Sequence, residues 1–345
     1  MATLEVLRLA PRGAFHFGLP GVGYEATGEY CPSDTLYSAL LSEALLGRLI
    51  TPATAPPDVP FRLSSALPYA GTTLLFPVPR QPAEDALRSG MRKQFKKIRY
   101  VSQSIFTALL AGRRLLDYLS DERAEGLLYQ EGSVLIHRAE QPKLDPHSAN
   151  EATRLWQVER VDHVTVDRTR AASQYYAVGQ VRFRAGCGLY VLAHCRDGRA
   201  CDQLRAWLER LGHAGLGGRR SKGLGQFEVE TGDRITLPDS QGARHALLLS
   251  RYIPTPTELE QGVLGAGAAY DLERVSGWLY SPGVPAQTRK TIYLLRTGDV
   301  VRCPAGRAPD GAVVDLRPDN AGIPHAVWRY GWALSVGIAL AEEAA

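Results

Sequence analysis

The sequence predicts an α+β protein whose first 230 residues run strand-helix-strand-strand and then strand-helix-strand, the order of a split βαβ, ferredoxin-like unit. Three observations predict it. Short apolar or alternating runs are bounded by Gly and Pro, two amphipathic helices have recognisable ends, and a glycine-rich turn precedes the closing strand.

Leu4 to Ala10 is a mostly apolar run that stops at Pro11-Arg12-Gly13, as an interior strand does. Pro32-Ser33-Asp34-Thr35 then offers capping groups before Leu36, Leu40, Leu41, Ala44 and Leu45, which predicts a helix from about Thr35 to Leu49 with Asp34 as a cap. Two strands follow around Phe61 to Leu67 and Thr72 to Phe76, split by Pro68 and Gly71. From Met91 to Leu110 the spacing predicts one helix, with Phe95, Ile98, Ile105 and Leu109 on one face and Arg92, Lys93, Lys96 and Lys97 on the other. No acidic residue lies between Arg88 and Arg114, so positive charge is concentrated there. Ser133 to Ile136 reads as a strand, and Lys143 to Ala172 as a protruding hairpin or loop. Val181 to Arg184, the Gly186-Cys187-Gly188 turn and Leu189 to Ala193 read as paired or bent strand. Leu204, Trp207, Leu208 and Leu211, between Asp202 and Gly212, give a compact helix, and Gln226 to Glu230 closes the unit as a strand. Residues 233 to 243 read as a link. Beyond them come short strand-like runs at 246 to 253, 276 to 280, 291 to 295, 313 to 316 and 327 to 336 without a strong helix, which fit either a degenerate copy of the first unit or a β-rich half.

At 345 residues the chain is long enough for about two domains. Its 45% hydrophobic and 22% charged shares are those of a globular protein, and no apolar run reaches the length of a membrane span. The N-terminus has no basic region before its apolar stretch and carries Glu5 inside it, unlike a secretory signal, so the expected location is the cytoplasm. A net charge of +4 does not by itself mark a nucleic-acid binder. Cys31, Cys187, Cys195, Cys201 and Cys303 are odd in number and never form C-x-x-C, which argues against a disulfide framework. His194, Cys195, Cys201 and His213 match no common zinc spacing, and no metal or cofactor is expected.

The densest chemical signal is Gly215-Leu216-Gly217-Gly218-Arg219-Arg220-Ser221-Lys222-Gly223-Leu224-Gly225. Its five glycines allow close backbone approach and an anion nest, and Arg219, Arg220 and Lys222 add charge for phosphate. It is not a Walker A loop, because Leu224 follows Gly223 and a strand follows the loop. Gly21-Val22-Gly23 with Ala26 is only a superficial dinucleotide fingerprint, with no helix directly after it. His16 has two readings: general base on a ribose hydroxyl, or a loop histidine that holds backbone or stacks on a base. Arg168 and Arg170, with Trp156, Tyr175 and Tyr176, supply the guanidinium and aromatic faces that single-stranded RNA uses. No nucleophile elbow or Cys-His pairing occurs, so hydrolase motifs are absent.

Phe15 to Gly18, Ser33 to Leu40, Lys93 to Tyr100, Val166-Asp167-Arg168 and Gly215 to Gly225, in this order, resemble the repeat-associated mysterious protein (RAMP) superfamily of CRISPR systems. The resemblance is to the Csm-type subunit of type III-A effector complexes that holds the 5′ tag of the guide RNA. Arg289 to Tyr293, Gly298 and Tyr330-Gly331 are similar to its second half. The resemblance implies two modified ferredoxin-like (RRM-like) domains with insertions, at residues 1–232 and 244–345, the second degenerate and β-rich. It implies a thumb within Lys143 to Ala172. It further implies RNA contacts from His16, Gly18, Ser33, Arg92, Lys93, Lys96, Lys97, Arg168, Arg170, Arg289 and Lys290, and from the loop residues Gly215, Gly217, Gly218, Arg219, Arg220, Ser221, Lys222, Gly223 and Gly225. The implied partners are the guide RNA (crRNA), the large polymerase-like subunit and a RAMP backbone subunit, with target RNA met indirectly, no membrane and no catalytic role. Two alternatives are a metal-independent RAMP endoribonuclease that processes guide precursors through His16, and the equivalent type III-B subunit. In the processing enzymes the glycine loop lies near the C-terminus, whereas here about 120 residues follow it.

Overall fold

The computed structural model describes residues 1–19, 22–51, 59–80, 92–119, 125–144, 153–167, 169, 172–279, 287–319, 322–323 and 325–340. The first part contains β1 (Ala2–Pro11), α1 (Ser33–Leu46), β2 (Phe61–Leu63), β3 (Leu67–Ala70), β4 (Thr73–Pro77), α2 (Arg92–Lys97), β5 (Tyr100–Ser102), α3 (Gln103–Leu110), β6 (Gly126–Tyr129) and β7 (Val134–His137). It continues with β8 (Trp156–Asp167), β9 (Ala172–Phe183), β10 (Cys187–Cys195), α4 (Gly198–Ala214), β11 (Phe227–Thr231) and β12 (Ile235–Leu237). A ten-stranded sheet runs β11-β1-β10-β3-β4-β5-β7-β6, with β12 also on β1 and β2 also on β10. Its pairings are antiparallel except β5 with β7.

Strand β10 is central because its sequence allows nothing else: Cys187 to Ala193 is buried throughout, an apolar run covered on both faces. Helix α4 buries Leu204, Trp207, Leu208 and Leu211 as their spacing predicts, but its N-cap is Asp197, which accepts the Ala200 N–H at 2.9 Å, and not Asp202. Helix α1 packs beside α4.

The continuous helix expected over Met91 to Leu110 is broken. Tyr100, Val101 and Ser102 are buried in β5, where they pair with β4 and β7, so a β-favouring triplet with two partner strands overrides the helical period. The expected projection exists as the β8–β9 hairpin, a ladder of twelve residues per strand that begins and ends farther along the chain than Lys143 to Ala172. The segment read as a link carries β12, which pairs with β1, and Asp239 bridges to Val336.

The remainder comprises β13 (His245–Leu248), α5 (Pro256–Glu260), β14 (Leu272–Val275), β15 (Trp278–Leu279), β16 (Gln287–Thr288), β17 (Ile292–Leu295), β18 (Val300–Arg302), β19 (Val314–Asp315), β20 (Trp328–Arg329) and β21 (Ser335–Ile338). A three-stranded sheet β18-β13-β21 and three two-stranded pieces, β14-β17, β15-β16 and β19-β20, make a mixed but strand-dominated region. The short helix α5, absent from the sequence expectation, starts at a reciprocal capping box of Thr255 and Glu258 around Pro256.

One large apolar cluster spans both regions, and the C-terminal region adds two smaller clusters of its own, one around Leu248, Tyr252 and Val301 and one of Ile253, Val275 and Leu294. Leu247, Leu249, Val300, Tyr330 and Val336 belong to the same apolar cluster as Leu36, Tyr37 and Leu63. The Tyr330 hydroxyl accepts the Leu63 N–H at 2.9 Å, and its ring lies 4.7 Å from that of Tyr37.

The polar centre of this junction is Asp34. Its carboxylate is fully buried, accepts from Arg251 Nη1 at 3.1 Å with both oxygens, and is paired with Arg329. Arg251 Nη2 also reaches Glu273 at 2.6 Å. The capping role expected of Asp34 shrinks to a 2.9 Å bond from the neighbouring Thr35 N–H. Burial alone would push its carboxyl up, but the Arg329 and Arg251 charges outweigh it and hold it below the ordinary aspartate range.

Replacing Asp34 with Ala strands the buried Arg329 guanidinium and leaves Arg251 to Glu273 alone, and is expected to cost about 3–5 kcal/mol in denaturant unfolding. Because the native pKa is lowered, the charged carboxylate stabilises fully above the unfolded aspartate value of about 3.9, and this contribution is lost as pH falls through the lower native value. The stability difference between wild type and Asp34→Asn should therefore be flat near neutral pH and shrink in acid. A difference independent of pH down to acid unfolding would contradict the assignment.

Candidate nucleic-acid interface

A groove of about 630 Å³ runs between the glycine loop, the stretch His16 to Tyr24, the first turns of α1 and the strand end Val275 to Trp278. Among the described residues its lining includes Arg220, Arg251, Arg289 and Arg329 but no carboxylate. Thr35, Ser38 and Ser42 add a row of hydroxyls, because residues three and four apart share one face of α1. Ser38 and Ser42 donate to the carbonyls of Asp34 and Ser38, which leaves their oxygens free to accept from a ligand.

The glycine loop spends much of the anion nest that its sequence predicts on its own packing. The N–H groups of Gly215, Leu216, Gly218, Lys222, Gly223 and Gly225 are spent on carbonyls of Leu211, Gly225, His16, Arg219, Arg220 and Ala14. Its glycines answer to packing: Gly217 has φ 97°, and a Cβ there would lie 2.5 Å from the His16 carbonyl. At Gly225, with φ 86°, a Cβ would lie 2.2 Å from the Leu216 carbonyl. The close approach is between this loop and the strand end at residues 14–17. Gly18, Gly215, Gly217 and Gly218 still line the groove, Gly225 is buried under the loop, and Ser221, Lys222 and Gly223 are exposed on its outer turn.

The three loop cations have different fates. Arg220 pairs with Glu43 of α1 at 3.1 Å. Arg219, at φ 60°, lies between two rings, 4.0 Å from the centroid of Tyr24 and 5.2 Å from that of Tyr176. Tyr176 in turn stacks on His163 across the β8–β9 ladder at 5.4 Å. Arg219 is thus a clasp between the loop and the projecting hairpin. Lys222 is exposed and has no carboxylate partner among the described residues. His16 is 4% exposed and donates from Nδ1 to the Gly179 carbonyl at 2.7 Å, so it too ties the hairpin base to the loop.

A second basic pocket of about 640 Å³ lies at the hairpin base and is lined by Lys96, Lys97, Arg99, Arg154 and Trp156. Two acidic residues also line it: Glu131 pairs with Arg154 at 3.4 Å, and Glu29 binds Arg99 at 2.6 Å and accepts the Trp156 Nε1–H at 3.2 Å; burial outweighs Arg99 and lifts the Glu29 carboxyl above the ordinary range. Lys96 and Lys97 are exposed.

The structure does not bring the other expected residues together. Ser33 is fully buried, and its hydroxyl accepts the Arg251 N–H at 2.9 Å, so it holds the junction and cannot reach a strand of RNA. Lys290 pairs with Asp319 at 2.6 Å and lines a different hollow, whereas Arg289 lines the groove. Arg168 and Arg170 lie outside the described residues, as do the side chains of Arg92 and Lys93. The sequence reading missed Tyr24, which signals nothing alone, and Trp278, exposed on the groove wall.

All five cysteines are free thiols, and among the described residues no group of three or more His, Cys, Asp or Glu is arranged to hold a metal. No helix among them is long and apolar enough to cross a membrane.

Residues 241–338 match the family model "CRISPR Csm4 C-terminal domain". Over 343 residues the chain is 29% identical to "CRISPR system Cms protein Csm4" of Mycobacterium tuberculosis (strain CDC 1551 / Oshkosh), covering 96% of both chains. Its fold is similar to a chain in the crystal structure of the Csm3-Csm4 subcomplex of the type III-A CRISPR-Cas interference complex. The TM-score is 0.59 with 18% identity, covering 97% of this chain and 99% of that one. It is also similar to a chain in the Csm1-Csm4 cassette in complex with cA4, with TM-score 0.54, 19% identity, and 98% and 99% coverage.

Removing the clasp tests how the hairpin is held. Arg219→Ala abolishes two cation–π interactions of about 0.5–1 kcal/mol each, so amide exchange at Tyr176 to Val178 should accelerate about 5- to 30-fold with little change in global stability. Arg219→Lys should recover only part of this, because an ammonium lacks the planar face. Unchanged exchange in both variants would show that other interactions hold the hairpin.

Proposed function

We propose that this chain, which belongs to the Csm-type branch of the RAMP superfamily, is a guide-RNA-binding scaffold subunit that holds the 5′ tag of the guide in its groove without cutting it. The observation that carries this reading is the groove lining, which has four arginines, a hydroxyl row and, among the described residues, no carboxylate, beside a second pocket edged by Lys96 and Lys97. Such a lining suits a phosphodiester strand, whose phosphates take most protein contacts and whose exposed bases seek aromatic faces. The spatial order β11-β1-β10-β3, with α1 and α4 as its two helices, supports one modified ferredoxin-like unit over residues 1–232. We read 244–345 as its degenerate, β-rich counterpart.

The hairpin of β8 and β9 is the thumb in this reading, set beside the strand by Arg219 and His16. The relatives whose fold this chain shares occur in complexes with Csm3 and with Csm1, which supports docking to a RAMP backbone subunit and to the large polymerase-like subunit, with target RNA reached only through them. On this reading the chain works within a type III-A complex in the cytoplasm.

Binding of a labelled guide RNA should weaken steeply between about 50 and 200 mM salt. Changing Lys96, Lys97 and Lys222 together to Ala should reduce the slope of log K against log salt by about 0.7 for each phosphate that is no longer neutralised. An unchanged slope would remove these lysines from the RNA path. Guide RNA incubated with the protein in EDTA should be recovered intact; fragments ending in 2′,3′-cyclic phosphate and absent with His16→Ala would favour a processing enzyme instead.

A further inference from the structure

Three of the four groove arginines are neutralised from behind, Arg220 by Glu43, Arg251 by Asp34 and Glu273, and Arg329 by Asp34. Arg289 forms no direct ion pair among the described residues, and the one carboxylate charge it feels is that of Asp34, which Arg251 and Arg329 already hold. Its Nη2 donates to the Ser276 carbonyl at 2.9 Å, while its Nε is buried without an acceptor. Burial, and next the adjacent Arg329 charge, push Arg289 down to about 10. A half-buried cation in this state gains from an incoming anion what its neighbours gain from carboxylates.

The wall over Arg289 is thin at one residue. Gly277 has φ 140°, and a Cβ there would lie 3.1 Å from Arg289 Nη2, so the missing side chain leaves the guanidinium uncovered toward the groove. The next residue, Trp278, is 69% exposed, whereas Trp156, Trp207, Trp328 and Trp332 are buried or half-buried. Its backbone is fixed by pairing with Thr288, next to Arg289, and the Arg289 N–H donates to the Gly277 carbonyl at 3.0 Å. A solvent-facing indole on a paired strand, next to a guanidinium without an ion-pair partner of its own, joins the two surfaces that suit a nucleotide, one for its flat base and one for its anionic phosphate.

We propose that Trp278 and Arg289 form a one-nucleotide subsite for single-stranded RNA, with the base stacked on the indole and its backbone phosphate on the guanidinium through the gap at Gly277. The subsite rests on the guide-binding reading above and deepens it, because it makes the C-terminal region a direct wall of the RNA path. Stacking is tolerant of base identity, so this subsite fixes the position of the strand more than its sequence.

The test uses the full chain and a short fluorescein-labelled single-stranded guide RNA, followed by anisotropy at several salt concentrations. Trp278→Ala should weaken binding about 5- to 100-fold with an unchanged salt slope, and Trp278→Phe should recover most of the loss. Arg289→Gln should instead make the slope shallower by about 0.7. An abasic substitution scanned along the RNA should find one position that costs the wild type affinity but costs Trp278→Ala nothing further. Trp278 is exposed, so its variants are expected to fold even if Arg289→Gln does not. Wild-type binding by Trp278→Ala, alongside weakened binding by the triple lysine variant, would overturn the subsite and leave the guide-binding reading standing. The same result with lost binding to the large subunit would make Trp278 a protein-docking residue and also overturn it. Absence of RNA binding by the wild-type chain would remove both readings.

Discussion

One buried carboxylate fixes the relative placement of everything that forms the groove. Asp34 stands at the start of α1 and binds Arg251, just beyond β13, and Arg329 at the end of β20, while Arg251 also binds Glu273 on β14. A buried ion cluster is weak evidence for stability, because desolvation offsets most of its attraction, but it penalises any arrangement that leaves one member alone. Sliding the C-terminal strands along α1 would strand a charge, whereas the apolar contacts around Tyr37 and Tyr330 could re-form in several ways. The cluster therefore selects one docking geometry, and the wall from Val275 to Trp278 faces the glycine loop as a result.

The same cluster explains why counting basic residues overstates the charge available to a ligand. The loop carries three cations within four positions, but Arg220 is held by Glu43 and Arg219 is flanked by tyrosines, so only Lys222 points outward without a described partner. In the groove the balance is four arginines against Glu43, Asp34 and Glu273. Positive potential survives as a small local excess in a concave, partly dry setting, where each charge counts for more than it would on an open surface.

What the sequence reveals follows from which forces are local. Helices α1 and α4, the central strand β10 and the strand after the glycine loop are set by periodicity, capping and burial within short windows, and each was legible. The Met91 to Leu110 pattern satisfied a helical period, yet β5 lies inside it because its partners β4 and β7 come from distant residues. Ser33 and Asp34 looked like capping groups for the same reason, their true partners being more than two hundred residues away. The candidate groove was half legible: the loop and His16 announce themselves, whereas Trp278 gains meaning only once β15 stands against that loop, and Arg289 only once its neighbours are seen to take the direct ion pairs with the carboxylates.

His16 shows how scaffold and site are fused here. Its carbonyl accepts the Gly218 N–H at 2.8 Å, and its imidazole donates to Gly179 at the hairpin base. The adjoining Ala14 carbonyl accepts from Gly225 at 2.9 Å. The strand end at residues 14–17, the glycine loop and the hairpin are therefore one hydrogen-bonded body, with His16 at the point where the three meet. Truncating the imidazole to Ala removes the Nδ1 donor together with the free Nε2, so any functional loss mixes a disturbed wall with lost chemistry. Asn retains a donor near the Nδ1 position without the lone pair of Nε2. A protein that tolerates Asn but not Ala at this position uses the histidine to build the groove, whereas one that tolerates neither uses the other ring nitrogen, Nε2.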